Sequence, residues 1–218
     1  VTLAITIERD TATPALAAAA QMVEDGSAIV GAMGRRVIRD TSKHVADWGL
    51  SHPNKLGGRR TNYWAGIAAK INSGDCLEVS GNSATVTLGG ETMPGLMRAF
   101  GPVTIVPGTK TPGVKYIPLP ARPEAYGMRP REFGTALMVF WGKSGPAGLA
   151  QKVPFKSNLK TKATVYRPGL VMYWFKTEVT QPQDRTLLPT EAQWSQSANA
   201  AGQEYAEQQF KKISGGAA

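Results

Sequence analysis

The chain carries one cysteine, Cys76, and two histidines, His44 and His52, in 218 residues. A lone cysteine excludes an internal disulfide and any zinc site built from several thiolates. The two histidines lack the close His or carboxylate spacing that holds a metal, so surface imidazoles are the expectation. Long apolar runs are missing as well, and nothing approaches the roughly 20 residues of a membrane-spanning helix. The opening "VTLAITIERD" lacks the basic start and apolar centre of a signal peptide, which makes cytoplasmic synthesis the expectation.

Charge is sparse and unevenly placed. Only 19% of residues are charged, too few to coat the whole surface, which suggests that partners cover part of it. The net charge is +9, and acids are rare in the middle of the chain. From Thr92 to Thr177 thirteen Lys/Arg face only Glu124 and Glu132. Such an excess favours an anionic neighbour without specifying a fold or a reaction.

Sequence signatures of catalysis are also thin. "FWGKSG" offers the lysine and hydroxyl of a phosphate-binding loop, but Leu137 stands where that loop requires glycine, so a solvated turn is expected. No Gly-x-Ser-x-Gly elbow occurs, and nothing around "GDCLEV" marks Cys76 as a nucleophile. No enzyme activity, cofactor or metal is expected.

What is present is a mixture of helical and strand patterns. Val1 to Glu8 alternate as a half-buried strand, and Thr13-Pro14 opens a helix that Gly26, Gly31 and Gly34 are expected to interrupt. "RRVIRDTSKHVADWGL" resumes helical spacing, with Val37, Ile38, Val45 and Trp48 near one stripe. "YWAGIAAKI" predicts a helix, and "LEVSGNSATVTL" predicts a hairpin turning at Ser80-Gly81-Asn82. From about 93 to 146, Pro and Gly punctuate the short runs "VTIV", "KYIPL" and "ALMVFW", which predicts strands in a loop-rich arm region.

"TVYRPGLVMYWFKTEV" predicts a largely buried strand or hairpin. Thr190-Glu191-Ala192-Gln193 forms a capping box opening a helix to about Ile213, with Trp194, Ala198, Ala201 and Tyr205 on one face. With no repeat and no linker, residues 1–218 read as a single α+β domain. The expected core of that domain is a central antiparallel sheet or partial barrel, with an N-terminal helical region and a long C-terminal helix.

The basic middle is interleaved with aromatics. Tyr63, Trp64, Tyr116, Tyr126, Tyr166, Tyr173 and Trp174 could stack on bases, but they sit in apolar runs, which makes core packing their default role.

One stretch carries a resemblance. "HPNKLGGRRTNYWAGIAAK" places Asn54, Leu56, Gly57, Gly58, Arg60, Thr61, Tyr63, Trp64 and Ala68 in the form Asn-x-Leu-Gly-Gly-x-Arg-Thr-x-aromatic-aromatic-x-x-x-Ala. Downstream, "RAFGPVTIVPGT", "KYIPLPARPEAYGMRPREF", "VMYWF" and "VTQPQDRTLLPTEAQW" follow in matching order. This arrangement resembles the tailed-bacteriophage virion morphogenesis family, which includes Mu-like tail-completion proteins. The chain departs from the usual pattern at Gly101-Pro102, where a Gly-Gly pair often stands.

The resemblance implies a non-enzymatic structural virion protein, a homo-oligomeric ring in the neck with a hexamer as one option. Its implied partners are a portal/connector or head-completion protein and a tail terminator or tail tube protein, with non-specific contact to packaged DNA and no membrane. The alternatives are a DNA-binding or packaging accessory, or another structural component of the tail or capsid surface. The candidate assembly or DNA-contact residues are Asn54, Lys55, Gly57, Gly58, Arg59, Arg60, Arg98, Lys110, Lys115, Arg129 and Arg131. In the motif, Gly57-Gly58 permits close backbone approach, Arg59 and Arg60 present charge, and Thr61 can cap the following helix.

Overall fold

A computed structural model describes residues 26–52, 62–91, 93–108, 113–155 and 165–215, together with Ala17, Ala20, Gln21 and Glu24. The predicted strand over Val1–Glu8, the Thr13-Pro14 helix start and the whole Asn54–Thr61 stretch lie outside the described residues. The protein is α+β, and its β structure is antiparallel. The chain divides into two compact units. One is Val1–Asp47, Ala65–Leu96 and Thr186–Ala218; the other is Trp48–Trp64 and Met97–Arg185.

The first unit is built on helix α1 (Ser27–Ser51), whose buried residues Gly31, Gly34, Ile38, Thr41 and Val45 recur every three or four positions. The expected interruption at Gly31 and Gly34 does not occur. Each glycine costs about 1 kcal/mol of helix propensity, but a Cβ on Gly34 would lie 2.6 Å from Leu77 Cδ1 and 3.4 Å from Ala84 Cβ. The glycines therefore admit the hairpin of β1 (Leu77–Ser80) and β2 (Ser83–Val86) against the helix. That hairpin has the predicted turn, with Gly81 at a φ of 52°, which fits the first turn residue of a tight two-residue loop. Asn82 in the same turn accepts the Gly26 N–H at 2.9 Å, tying the hairpin tip to the start of α1.

Helix α2 (Tyr63–Asn72) buries Ile67, Ala68 and Ile71, and the Ser42 hydroxyl of α1 donates to the Ala68 carbonyl at 2.8 Å. Helix α3 (Glu191–Gly215) begins as its capping box predicts. The Thr190 N–H donates to Gln193 Oε1 at 2.8 Å, and the Gln193 N–H donates to Thr190 Oγ1 at 3.3 Å. Replacing Thr190 with alanine is expected to cost about 0.5–2 kcal/mol, read as a lower midpoint in chemical denaturation. Along α3, Trp194 Nε1 donates to the fully buried Thr41 hydroxyl at 2.9 Å, and Gly202 comes close to Met33. The small-residue face of α3 thus packs within its own unit. Leu96, Leu187, Leu188 and Met93 complete this core.

Asp40 on α1 gives the unit a pH-sensitive contact. Partial burial on its own would raise its carboxyl, but hydrogen bonds from Ser197 and Arg36, with the charges of Arg36 and Arg39, hold it below the ordinary 3.8. The folded state therefore gains stability from ionised Asp40 above that value and loses it as pH falls through the depressed one. Asp40→Asn should lower the unfolding midpoint at neutral pH. The gap from the parent should close on acidification below 3.8, which paired thermal melts across the acid range would show.

The second unit centres on a four-stranded sheet ordered β4-β7-β6-β5, from β4 (Ile117–Pro120), β5 (Leu137–Gly142), β6 (Gly145–Phe155) and β7 (Val165–Lys176). A second pair, β3 (Val103–Ile105) and β8 (Val179–Gln181), completes its described strands. The runs "VTIV", "KYIPL" and "ALMVFW" are strands as predicted. Strand β7 is less buried than the largely buried strand expected: Met172 and Tyr173 are buried, whereas Tyr166, Leu170 and Trp174 are about half exposed.

The cause is local. β7 carries extra residues relative to β6 on either side of the Ala150↔Val171 pair, and these bulges break the strict alternation of faces. Among the described residues the short helical turns Pro123–Ala125 and Pro130–Ala136 cover one face of the sheet. Ala125 and Phe133 there pack against Tyr173, Leu137 and Leu149.

Candidate assembly and nucleic-acid surface

Residues paired across an antiparallel ladder share a face, so the register assigns the sheet's side chains. Val139, Leu149, Tyr173 and Pro120 form the row on the covered face, whereas Phe140, Gly148, Trp174 and Leu119 form the row on the opposite face. On that second face Phe140 and Trp174 meet edge to face, with centroids 5.5 Å apart and an interplanar angle of 76°. Lys152 Nζ lies 5.7 Å from the centroid of the Tyr166 ring, a cation–π distance. Trp174 is 47% exposed and Tyr166 46%. Trp141, beside the β5–β6 turn, is 72% exposed.

Aromatics of this size are enriched at contact surfaces relative to the rest of a protein's exterior. Exposure also revises the reading of the aromatics as core. Of the seven, Tyr173 is buried and Trp64, Tyr116 and Tyr126 are half-buried, whereas Tyr63, Tyr166 and Trp174 are exposed.

The described residues flanking the Asn54–Thr61 motif form an aromatic cluster. Trp48 stacks on His52 at 4.2 Å, meets Trp64 edge to face at 4.9 Å, and Trp64 meets Tyr63 edge to face at 5.1 Å. Gly49 permits this, because a Cβ there would lie 2.5 Å from Trp64 Cβ. Trp64 thus packs half-buried against the end of α1, whereas Tyr63 stays 46% exposed, contrary to its expected core role. No local pattern in the sequence links Gly49 to Trp64; their meeting depends on where α2 starts.

The four candidate residues that are described, Arg98, Lys115, Arg129 and Arg131, all belong to the second unit. Arg98 is internally engaged: its Nε donates to the Pro182 carbonyl at 3.3 Å, its Nη2 stands 3.8 Å from Asp184 Oδ2, and the Asp184 N–H donates to the Arg98 carbonyl at 2.8 Å. With its side chain only 21% exposed, it joins the single helical turn Met97–Phe100 to the segment after β8. Lys115 is exposed just before β4. Arg129 and Arg131 are exposed around the Pro130–Ala136 turn, where the Arg129 N–H donates to Glu132 Oε2 at 3.0 Å. Asn54, Lys55, Gly57, Gly58, Arg59, Arg60 and Lys110 lie outside the described residues.

No protein family, curated protein or solved structure matches the chain. The remaining chemistry is therefore read from its own groups. His44 Nε2 bonds the Thr186 carbonyl at 2.9 Å and His52 Nδ1 lies 3.0 Å from the Trp48 carbonyl, so both imidazoles meet main chain. The Cys76 thiol is buried, lies 3.6 Å from the Ile71 carbonyl and is pushed above its ordinary value by burial, which disfavours the thiolate a nucleophile needs. Lys143 and Ser144 occupy the exposed β5–β6 turn, the solvated turn expected for "GKSG".

Among the described residues no cluster of three or more His, Cys, Asp or Glu could hold a metal ion, and no helix is long and apolar enough to cross a membrane. The first unit also has an apolar groove of about 330 Å³ bordered by Val30, Met33, Val37, Val86, Leu88 and Trp194.

Proposed function

We propose that the chain is a structural virion protein of a tailed bacteriophage, forming a homo-oligomeric ring in the neck between the DNA-filled head and the tail. The motif order described above motivates the reading. The observation that carries it is the exposure of Trp141, Tyr166 and Trp174 on the second unit, aromatic residues of the kind enriched at protein contact surfaces. Such a protein works by geometry: a contact made by two different surfaces of identical chains, repeated around an axis, closes into a ring that leaves a passage for DNA. The portal or head-completion protein and the tail terminator or tail tube protein are its proposed neighbours, and the virion its location.

A stop codon at Trp64 in the phage genome tests this. Filled heads beside finished, unattached tails in electron micrographs of the lysate are the expected result. Intact virions would sink the reading.

A second reading has its own support. Trp174, Tyr166, Lys152 and the exposed Lys176 all belong to the uncovered sheet face or its end, a combination suited to stacking bases and neutralising phosphates. A DNA-binding or packaging accessory would bind oligonucleotides as a free protein with steep salt dependence. A neck ring that only encloses DNA would not.

A further inference from the structure

The first unit also holds a polar cleft of about 540 Å³, bordered by α1, α3 and the turn that follows α2. Ile38 and Ala201, both buried, give it an apolar floor. Arg35, Arg36 and Arg39 of α1 line it against a single lining carboxylate, Glu204 of α3.

The acids in reach are already engaged. Arg36 Nε donates to Asp40 at 3.0 Å and its Nη1 to Glu204 at 3.5 Å, so this one guanidinium takes up both carboxylates. Asp75 accepts the Ser73 hydroxyl at 2.9 Å and borders a separate cleft with Lys70. Arg39 is left with a 3.9 Å approach to the Asp40 that Arg36 holds, and its side chain is 63% exposed. Among the described residues Arg35 has neither an ion pair nor a hydrogen bond. Arg35 and Arg39 are four residues apart on one helix, a like-charge spacing that costs stability unless an anion bridges it.

The uncharged donors match. Among the described residues the Tyr205 hydroxyl and the Gln208 and Asn72 amides, all bordering the cleft, have no hydrogen-bond partner. A carboxylate offers two oxygens and one charge. A phosphate monoester offers three peripheral oxygens and nearly two charges, which suits two guanidiniums with further donors around them. The volume falls in the range of small-molecule sites and leaves room beyond the phosphate for an apolar or ring-shaped body on the Ile38 and Ala201 floor. We propose that this cleft binds a small phosphate monoester, Arg35 and Arg39 clamping the phosphate while Tyr205, Gln208 and Asn72 donate to its remaining oxygens. Binding here does not depend on ring formation.

Calorimetric titration of the full chain tests this with inorganic phosphate, adenosine 5′-monophosphate, adenosine and acetate at matched ionic strength. Phosphate and the monophosphate should bind saturably, and adenosine and acetate should not. Arg35→Ala and Arg39→Ala should each weaken binding about tenfold or more, and Tyr205→Phe about fivefold. Without ligand, both arginine variants should match or exceed the parent's urea midpoint, since each removes a repulsion. Lys143→Ala combined with Arg185→Ala removes two cations from the second unit and should leave the affinity unchanged.

The site is overturned if the parent binds neither phosphate nor the monophosphate, or if the arginine variants bind as the parent does. Equal weakening by the Lys143 and Arg185 changes would reduce it to general charge attraction. Acetate binding as well as phosphate would make it a carboxylate site. An oligonucleotide without terminal phosphate that displaces the monophosphate at lower concentration would make it a contact for the polynucleotide backbone, and the monoester reading would fall.

Discussion

Tyr173→Ala should reduce the stability of the second unit by about 3–5 kcal/mol, the usual cost of removing a buried aromatic side chain. Tyr173 is 1% exposed, at the centre of a cluster with Ala125, Met172, Phe133, Leu137 and Leu149. Phe133 meets its ring edge to face at 5.9 Å. Its hydroxyl lies 3.2 Å from the Ala125 carbonyl and 2.9 Å from the Met128 carbonyl, and so holds the Ala125–Met128 turn of the segment that covers the sheet. Burial, reinforced by the negative charge of Glu132, pushes the phenol above its ordinary value, so it stays protonated and able to donate.

Tyr173→Phe separates the two contributions. Phenylalanine keeps the packing but leaves the carbonyls without their donor, a loss of about 1–3 kcal/mol. Urea denaturation of both variants should therefore order them parent, phenylalanine, alanine. Equal midpoints for the phenylalanine variant and the parent would show that the hydroxyl contributes nothing net.

Gly148→Ala should be the second most damaging change, although it adds a single methyl group. A Cβ at Gly148 would collide with the Tyr173 carbonyl oxygen on the neighbouring strand and lie 2.8 Å from Phe140 Cε1 and 3.0 Å from Phe140 Cζ. The ring can turn aside, but the carbonyl belongs to the β6–β7 ladder and cannot move without breaking it. Overpacking of this kind costs about 1–3 kcal/mol. It should also separate Phe140 from Trp174, altering tryptophan emission and near-ultraviolet circular dichroism in the folded state. Unchanged spectra and an unchanged midpoint would mean that the strand has room the geometry denies. Ala147→Gly, next to it, is the control for a general loss of strand propensity.

Gly148 also shows where a linear reading stops. In "GKSGPAGLA" it looks like one more turn glycine, and the true turn residues Lys143 and Ser144 are indeed exposed. That Gly148 instead lies mid-strand beneath the Phe140 ring depends on the β5–β6 register and on β7, whose Tyr173 is distant in the chain. Gly34 makes the same point in a helix. Its intrinsic preference argues for a break, but the nearness of Leu77 and Ala84 reverses the outcome, because packing against a hairpin outweighs about 1 kcal/mol of propensity. Arg98 is similar: its charge is visible in the sequence, whereas its engagement by Asp184 and the Pro182 carbonyl needs the loop after β8 to be in place.

The sequence by itself determined what short-range chemistry controls. Thr190 and Gln193 are three residues apart and cap α3 without outside help. Ser80-Gly81-Asn82 turns the β1–β2 hairpin because only glycine readily takes the required φ, and the period of "YWAGIAAKI" specifies α2. The alternating short runs of the middle likewise become strands.

Tertiary structure alone decided which face each strand presents and which aromatics stay exposed. Bulges in β7 shift the register of a whole face, and among the described residues the covering turns bury Tyr173 while Trp174 and Tyr166 stay open. It also decided that the chain forms two units, since helices α1 and α2 each run across a unit boundary with no linker composition to announce it. Burial and charge pairing depend on residues distant in the chain, and the order of amino acids specifies them only through the fold.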